Sequence, residues 1–387
     1  MKLREYASGF GWFGFAATAA LVAFGTLAIR SAGGAREAVF HGMWIANLRT
    51  AAFAFVLYFA LAAVDYRKIL RWCAVPAYAG AVAMLAAVLL FGTEIYGGKR
   101  WLWFFQPSEI SKLCVIVFFA GVFGSASGKM RGPAGFAAAV AFLALPVLLI
   151  LEEPDLGTAL VLVPAVVAML LAAGVCRAAL VATLVAASVV FAAVAGAVYE
   201  AEKPGVPEET RAKIMRFVPL KKHQVKRVRT FLFPESDPLG DGYTLRQAQI
   251  AIGSGGFSGK GLGKGETNHL RFLPPSVSMN DFIFCVWAEE TGFVGSAALL
   301  ALFSVVCFSA LSAAFSAGDQ CGRLLATGVA VMVFAHVYVN IGMSAGLVPI
   351  TGVPLPFISS GRTFLVTVLA GLGLVQSVSI HKKKELE

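Results

Sequence analysis

The chain has 387 residues, 58% of them hydrophobic and only 14% charged, with a mean hydropathy of +0.77 and a formal net charge of +10. Such a composition excludes a soluble globular protein and describes one that lives in a bilayer. The positive charge belongs to loops and an insertion facing anionic lipid headgroups, so no nucleic-acid partner is expected.

Apolar runs long enough to cross about 30 Å of hydrocarbon as helices recur along the sequence. They cover roughly residues 10–29, 44–64, 72–92, 107–124, 135–151, 157–174, 177–198, 282–315, 324–347 and 355–380. The expected fold is therefore all-α and polytopic, with about ten transmembrane helices. One long extracytoplasmic loop, residues 199–280, separates the seventh from the eighth. The first run lacks a small-residue cleavage site and continues for a full span, so it reads as a transmembrane helix rather than a signal peptide.

Lysine and arginine orient the bundle. The segments DYRKILR (65–71), SASGKMRG (125–132), the turn at Cys176 and Arg177, and the tail HKKKELE (381–387) fall on one side of a ten-span frame. The positive-inside rule makes that side cytoplasmic, with both termini in the cytoplasm. The acidic turn EEPDLG (152–157), the loop 93–105 and the long insertion then lie outside. An insertion of this length translocates largely regardless of its charge.

The stretch AIGSGGFSGKGLGKG (251–265) holds seven glycines and two lysines and invites a nucleotide-binding reading. A phosphate-gripping loop needs G-x-x-x-x-G-K followed by Ser or Thr. Ser254 and Ser258 stand where its first glycine belongs, and Gly261 and Gly265 where its metal-binding hydroxyl belongs. The segment also lies on the side without ATP, so no nucleotide is expected. Two readings stay open: simple loop packing, or close approach of Lys260 and Lys264 to a lipid diphosphate.

Charged residues inside apolar runs are costly and mark candidate sites. Arg49 sits in the second run, and Glu289 and Glu290 lie two turns into the eighth. Glu109 and Lys112, at the outer start of the fourth, share a helix face and can pair. With Arg100, Gln106 and Ser108 nearby, the same region would suit an anionic headgroup. Asp281 opens the eighth run, where it is either a general base at a desolvated edge or a helix cap; composition alone favours the cap. Asp155 similarly suits a capped turn. The six cysteines lie in or at the ends of apolar runs and read as small core residues, and His223, His269 and His336 lack metal-ligand spacing.

Six blocks, in order, resemble the SEDS family (shape, elongation, division and sporulation proteins). They are FQPSEISKL (105–113), EPDLGTALV (153–161), RVRTFLFPESDPLGDGYTLRQAQIAIGSGGFSGKGLGKG (227–265), FLP (272–274), DFIFCVWAEETGFVG (281–295) and NIGMSAGLVPITGVPLPFIS (340–359). The segments DYR and GVPLPFIS are more similar to the RodA, or elongation, branch than to the FtsW, or division, branch. Two departures stand out. PSVSMN (275–280) lacks the His-Thr that precedes the family aspartate, and SSGRT (359–363) puts Arg362 where a small residue is usual.

The resemblance implies a peptidoglycan glycosyltransferase that polymerises lipid II at the outer leaflet of the bacterial cytoplasmic (inner) membrane and releases undecaprenyl diphosphate. It makes Asp281 the catalytic residue, which reverses the cap-first reading. It places Glu109, Lys112, Arg49 and Asp155 at the substrate cavity; the residue reading adds Arg100, Gln106, Lys260 and Lys264 as contacts for a lipid diphosphate, and Ser359 of the last block completes the substrate-binding candidates. Lys112, with Arg49 or Arg100, would offset leaving-group charge, with a divalent cation such as Mg2+ or Mn2+ as the candidate helper and no nucleotide cofactor. A class B penicillin-binding protein, a transpeptidase, is the implied partner beside membrane lipids. The rival readings are a lipid II flippase, a scaffold that activates a partner synthase, and a division or sporulation paralogue of the same enzyme.

Overall fold

A computed structural model describes residues 9–382, apart from 34–41, 96–97, 104, 127–131, 204, 217, 219–221 and 270–271. The basic loop at 127–131 and the tail at 383–387, used above for orientation, lie outside the described residues.

Ten described helices are long and apolar enough to cross a membrane. In chain order they are α1 (Trp12–Gly33), α2 (Met43–Ala63), α3 (Tyr66–Phe91), α4 (Pro107–Ser125), α5 (Pro133–Glu152), α6 (Leu156–Ala173) and α7 (Arg177–Glu202). A polar insertion follows, holding α8 (Glu208–Met215), α9 (Lys222–Leu232) and α10 (Asp241–Ser254). The spans then resume with α11 (Ile283–Phe315), α12 (Gln320–Ala345) and α13 (Arg362–Ile380). Strands β1 (Thr93–Ile95) and β2 (Gly98–Trp101) form an antiparallel hairpin between α3 and α4.

Local chemistry sets the helix ends. Asp65, Asp155 and Asp319 cap α3, α6 and α12 by accepting from the backbone N–H groups of Arg67, Thr158 and Gly322. Pro107 and Pro133 open α4 and α5, where a missing N–H costs nothing. The third apolar run, expected from residue 72, therefore begins as helix at Tyr66, because Asp65 caps it and its polar first turns project beyond the hydrocarbon.

α12 packs against α11, α6, α4 and α13, while α13 lies along α2, α3 along α4, and α11 along α1. α12 and α13 are the most enclosed spans, and α7 the least. α7 touches the bundle through α5 and otherwise packs on α8 and α9, leaving residues 181–190 exposed. The hairpin, the α5–α6 turn, the insertion and the α12–α13 connection gather at one end of the bundle, called here the hairpin end.

Two spans depart from plain helices. α11 breaks at Gly292 (φ 67°, ψ −160°) into halves 283–291 and 293–315. Inside hydrocarbon every freed backbone group needs a partner, and the glycine-rich loop supplies four. Lys260 and Gly261 donate N–H groups to the carbonyls of Glu289 (3.0 Å) and Glu290 (2.9 Å), while Phe293 and Val294 donate to Gly256 (2.9 Å) and Phe257 (3.1 Å). The approach is so close that a Cβ on Gly259 would overlap the Glu290 carbonyl. Of the two readings left open for this loop, its backbone does packing.

The second departure is the connection 347–361, which is non-helical yet largely buried. Non-helical chain at membrane depth survives only where protein encloses it, and this is a re-entrant segment of that kind. The apolar run expected over 355–380 thus begins as re-entrant chain, and helix starts only at Arg362.

Candidate functional site

Asp281 lies two residues before α11, at the hairpin end. The cap of α11 is Phe282, and no side chain caps that helix. The composition-based cap reading therefore fails, because no backbone N–H holds the carboxylate. Among the described residues, no hydrogen bond or ion pair engages it. The Asp281 main chain, in contrast, is tightly fixed. The Asn340 amide donates to the carbonyls of Asp281 (2.8 Å) and Val353 (2.7 Å), tying α12, the aspartate and the re-entrant segment together. Ser359 donates to the Asn280 carbonyl (2.6 Å) and accepts from the Leu355 N–H (2.7 Å). The half-buried carboxylate sits above Gly352, whose φ of +74° leaves its backbone open beneath.

Two arginines face this carboxylate. Arg100, on β2, donates to the carbonyls of Glu153 (3.2 Å) and Pro154 (2.5 Å) in the α5–α6 turn. Arg227, on α9, donates to the Thr351 carbonyl of the re-entrant segment (3.2 Å). Burial pushes the Asp281 carboxyl up to about 6; Arg100 and Arg227 pull it down, and Asp155 pushes it further up. Burial, with Arg100 adding, holds the Arg227 guanidinium below its ordinary value.

Asp155 serves two helices. One carboxylate oxygen accepts from the Thr158 N–H (3.1 Å), and the other from the hydroxyls of Thr158 (2.9 Å) and Ser108 (3.0 Å) and the amide of Gln106 (3.3 Å). It is thus both the expected cap and a tie between the starts of α4 and α6, with Gln106 occupied in the same tie. Beside it, Glu153 is completely buried, and among the described residues neither carboxylate oxygen has a hydrogen-bond partner. Burial, then Asp155, push its carboxyl up to about 8 against the pull of Arg100.

The remaining candidates make no described hydrogen bond or ion pair with Asp281, although Glu109 and Lys112 follow Ser108, which bonds Asp155. Lys112 is 1% exposed. Its ammonium is 2.7 Å from a Glu109 oxygen and 2.8 Å from His336 Nε2, and lies over the Phe364 ring. His336 Nδ1 donates to the Met332 carbonyl (2.7 Å), which leaves Nε2 free to accept from Lys112. The pair expected on one face of α4 forms, but it is enclosed, and no described interaction joins it to Asp281. Arg49 is exposed on α2 and makes no hydrogen bond or ion pair among the described residues. The Lys260 ammonium is 2.9 Å from Glu289, and Lys264 is exposed. Ser359 acts on the chain carrying Asp281 rather than facing open space, and Arg362 is exposed at the start of α13.

No group of three or more His, Cys, Asp or Glu among the described residues could hold a metal. Of the carboxylates around the arginines, Asp155 already accepts from Thr158, Ser108 and Gln106, and Asp281 faces two cations, so neither offers a protein-held divalent ion a free, uncompensated ligand. The six cysteines are free thiols.

The family described as Cell cycle protein, spanning FtsW, RodA and SpoVE, matches residues 12–384. The chain belongs to this family. It is 35% identical to the peptidoglycan glycosyltransferase MrdB of Escherichia coli over 372 residues, covering 94% of this chain and 92% of the relative. It is 31% identical to the peptidoglycan glycosyltransferase RodA of Treponema pallidum, covering 94% and 96%. Among solved structures it resembles a chain of a peptidoglycan synthase complex studied for coordinating polymerization and crosslinking, with TM-score 0.73, 28% identity and coverage of 96% and 97%. The RodA structure of Thermus thermophilus superposes with TM-score 0.67 at 26% identity, covering 97% and 98%. As a FtsW/RodA/SpoVE protein with ten apolar spans, the chain is a multi-pass membrane protein.

Sequence reasoning passed over Arg227, Glu153, His336 and Asn340. Glu153, Arg227 and Asn340 open the second, third and last of the family blocks, and His336 entered only as a histidine without metal-ligand spacing. Nothing in spacing linked residues 100, 227 and 281.

Proposed function

We propose that in this chain, a peptidoglycan glycosyltransferase of the FtsW/RodA/SpoVE family, Asp281 is the general base. One observation carries the reading: a carboxylate that no described residue hydrogen-bonds, on a backbone fixed by Asn340, facing Arg100 and Arg227 at the hairpin end. Lipid II and the growing strand are both membrane-tethered, so chemistry at one end of the bundle meets both substrates at the bilayer surface. The Asp281 carboxylate takes the proton of the acceptor 4-hydroxyl. That oxygen then bonds to the anomeric carbon of the donor strand, and the carbon–oxygen bond to undecaprenyl diphosphate breaks. Arg100 and Arg227 offset the charge that gathers on the departing diphosphate. They stand ahead of Lys112, which is enclosed and paired, and of Arg49, which makes no hydrogen bond or ion pair among the described residues. Magnesium or manganese enters only as a companion of the diphosphate, whose oxygens and bound water would ligate it.

The hairpin end faces the outside of the cytoplasmic membrane, and both termini face the cytoplasm, as the basic loops at the other end require. A transpeptidase of the class B penicillin-binding type crosslinks the strands. The flippase reading wants open polar sites at both ends, and the other end holds a pocket lined in part by Arg67, Arg71 and Asp319, so polymerisation in detergent, where no leaflets exist, is the experiment that separates the two readings.

Asp281→Asn is expected to bind lipid II and fold normally while losing at least 1000-fold in polymerisation, followed by strand length on gels with purified protein and its transpeptidase. In the wild type, kcat/KM falls as pH drops through about 6, where the base becomes protonated. Long strands from Asp281→Asn would end this assignment.

A further inference from the structure

Resting on that reading of Asp281, we infer that the Lys260–Glu289 ion pair is a positioning device for the Asp281 carboxylate, acting through the half-helix 283–291. The break at Gly292 detaches this half from the remainder of α11, so continuity of the span does not fix its direction. Nine residues make too short a helix to stand unaided, and both of its ends are clamped from outside. At the Asp281 end, Asn340 and Ser359 hold the carbonyls of Asp281 and Asn280, and the Ser360 N–H donates to the Met279 carbonyl (3.0 Å).

At the far end, the glycine-rich loop forms the clamp. Its backbone takes the carbonyls of Glu289 and Glu290, and the Glu289 carboxylate accepts from the N–H groups of Glu266 (2.8 Å) and Thr267 (3.2 Å). Lys260 closes the arrangement, with its ammonium 2.9 Å from Glu289 and 3.5 Å from Glu266. Glu290 meanwhile accepts from Ser31 at the end of α1. The Glu289 side chain is 1% exposed and Lys260 is its cationic partner, so losing Lys260 leaves a buried carboxylate uncompensated. The half-helix links the two clamps through its own hydrogen bonds, so release of the C-terminal clamp bears on the set of the chain that carries Asp281 at the other end. Displacements of about 1 Å in a reacting group cost as much as 100-fold in rate.

A positioning role and direct contact with the diphosphate make opposite kinetic forecasts. Full-length Lys260→Gln, Lys260→Arg, Glu289→Gln, the double variant Lys260→Gln/Glu289→Gln and Asp281→Asn would be assayed with lipid II across concentration and pH, with a melting curve for each. Positioning requires that Lys260→Gln lower kcat at least tenfold, leave KM within twofold, and displace the acid limb of the pH profile. The double variant should be no worse than the worse single, and Lys260→Arg should keep kcat within threefold. A raised KM with kcat retained, unchanged kinetics in Lys260→Gln, or additive losses in the double variant would overturn the inference. If the uncharged variants do not fold, Lys260→Arg decides, because a tenfold loss of kcat there contradicts a role that needs only the charge pair. Activity surviving in Asp281→Asn refutes the catalytic reading alone, and a dead Asp281→Asn beside a normal Lys260→Gln refutes the positioning inference alone.

Discussion

Glu153 is the residue whose placement is hardest to reconcile with stability. It is buried, neither oxygen has a hydrogen-bond partner among the described residues, and its carboxyl is pushed up to about 8. The fold therefore holds the proton at neutral pH while the unfolded chain, with an ordinary carboxyl near 4.3, has released it. Because the unfolded state binds fewer protons between these values, stability falls as pH rises from about 4 to about 8, by on the order of 4 kcal/mol if the site stays dry. Glu153→Gln keeps the shape and cannot ionise. Its melting temperature in detergent should exceed that of the wild type by a margin that widens from pH 5 to pH 8; a margin independent of pH would show that Glu153 is not the titrating group. Residues of this kind were only partly legible. Asp281 and Asp155 stood out at the openings of spans, and only the family blocks gave Asp281 a catalytic role, whereas Arg227 was hidden among the many basic residues of the insertion. Lys112 was visible, but its enclosure depends on His336, 224 positions away along the chain.

At the scale of elements, glycine placement separates two physical costs that sequence alone merges. Gly259 and Gly263 both have positive φ, +77° and +74°, so alanine at either pays for left-handed backbone, roughly 1 to 2 kcal/mol. Only Gly259 also presses on the carbonyls and backbone of Glu290 and Thr291, while a Cβ on Gly263 would meet open space. Gly263→Ala should therefore lower the melting temperature slightly, and Gly259→Ala much more, with loss of polymerisation because the broken span loses its clamp. Equal melting temperatures would mean that the loop does not bear on the break. The ten spans were legible because hydropathy over about twenty residues is a strong signal. The break at Gly292 and the re-entrant segment were not, since apolar chain looks the same whether it spans straight or doubles back inside protein. The same limit applied to the glycine-rich loop, where failed motif spacing removed the nucleotide but did not reveal the broken helix that it serves.

Across the whole molecule, the end remote from Asp281 is held by a separate network. The Tyr66 hydroxyl donates to Asp319 (2.7 Å), Arg67 donates to Asp319 (2.6 Å) and to the His381 carbonyl (2.9 Å), and Ser377 bridges Val64 and Tyr66. These contacts tie the α2–α3 turn, the α11–α12 turn and the end of α13 together. Tyr66→Phe removes one hydroxyl from a partly buried acceptor that Arg67 still satisfies, so a loss of about 1 kcal/mol in stability is expected. Polymerisation per folded molecule should be unchanged, and a fall in kcat with intact folding would show that the two ends are coupled. The site itself is fastened in another manner. Arg100 rests on the carbonyls of residues 153 and 154, and Arg227 on that of residue 351. A peptide oxygen belongs to every amino acid, so these turns are free to change side chains over evolutionary time without releasing either cation. Side chains at residues 153, 154 and 351 can therefore be exchanged while the charge facing Asp281 stays in place.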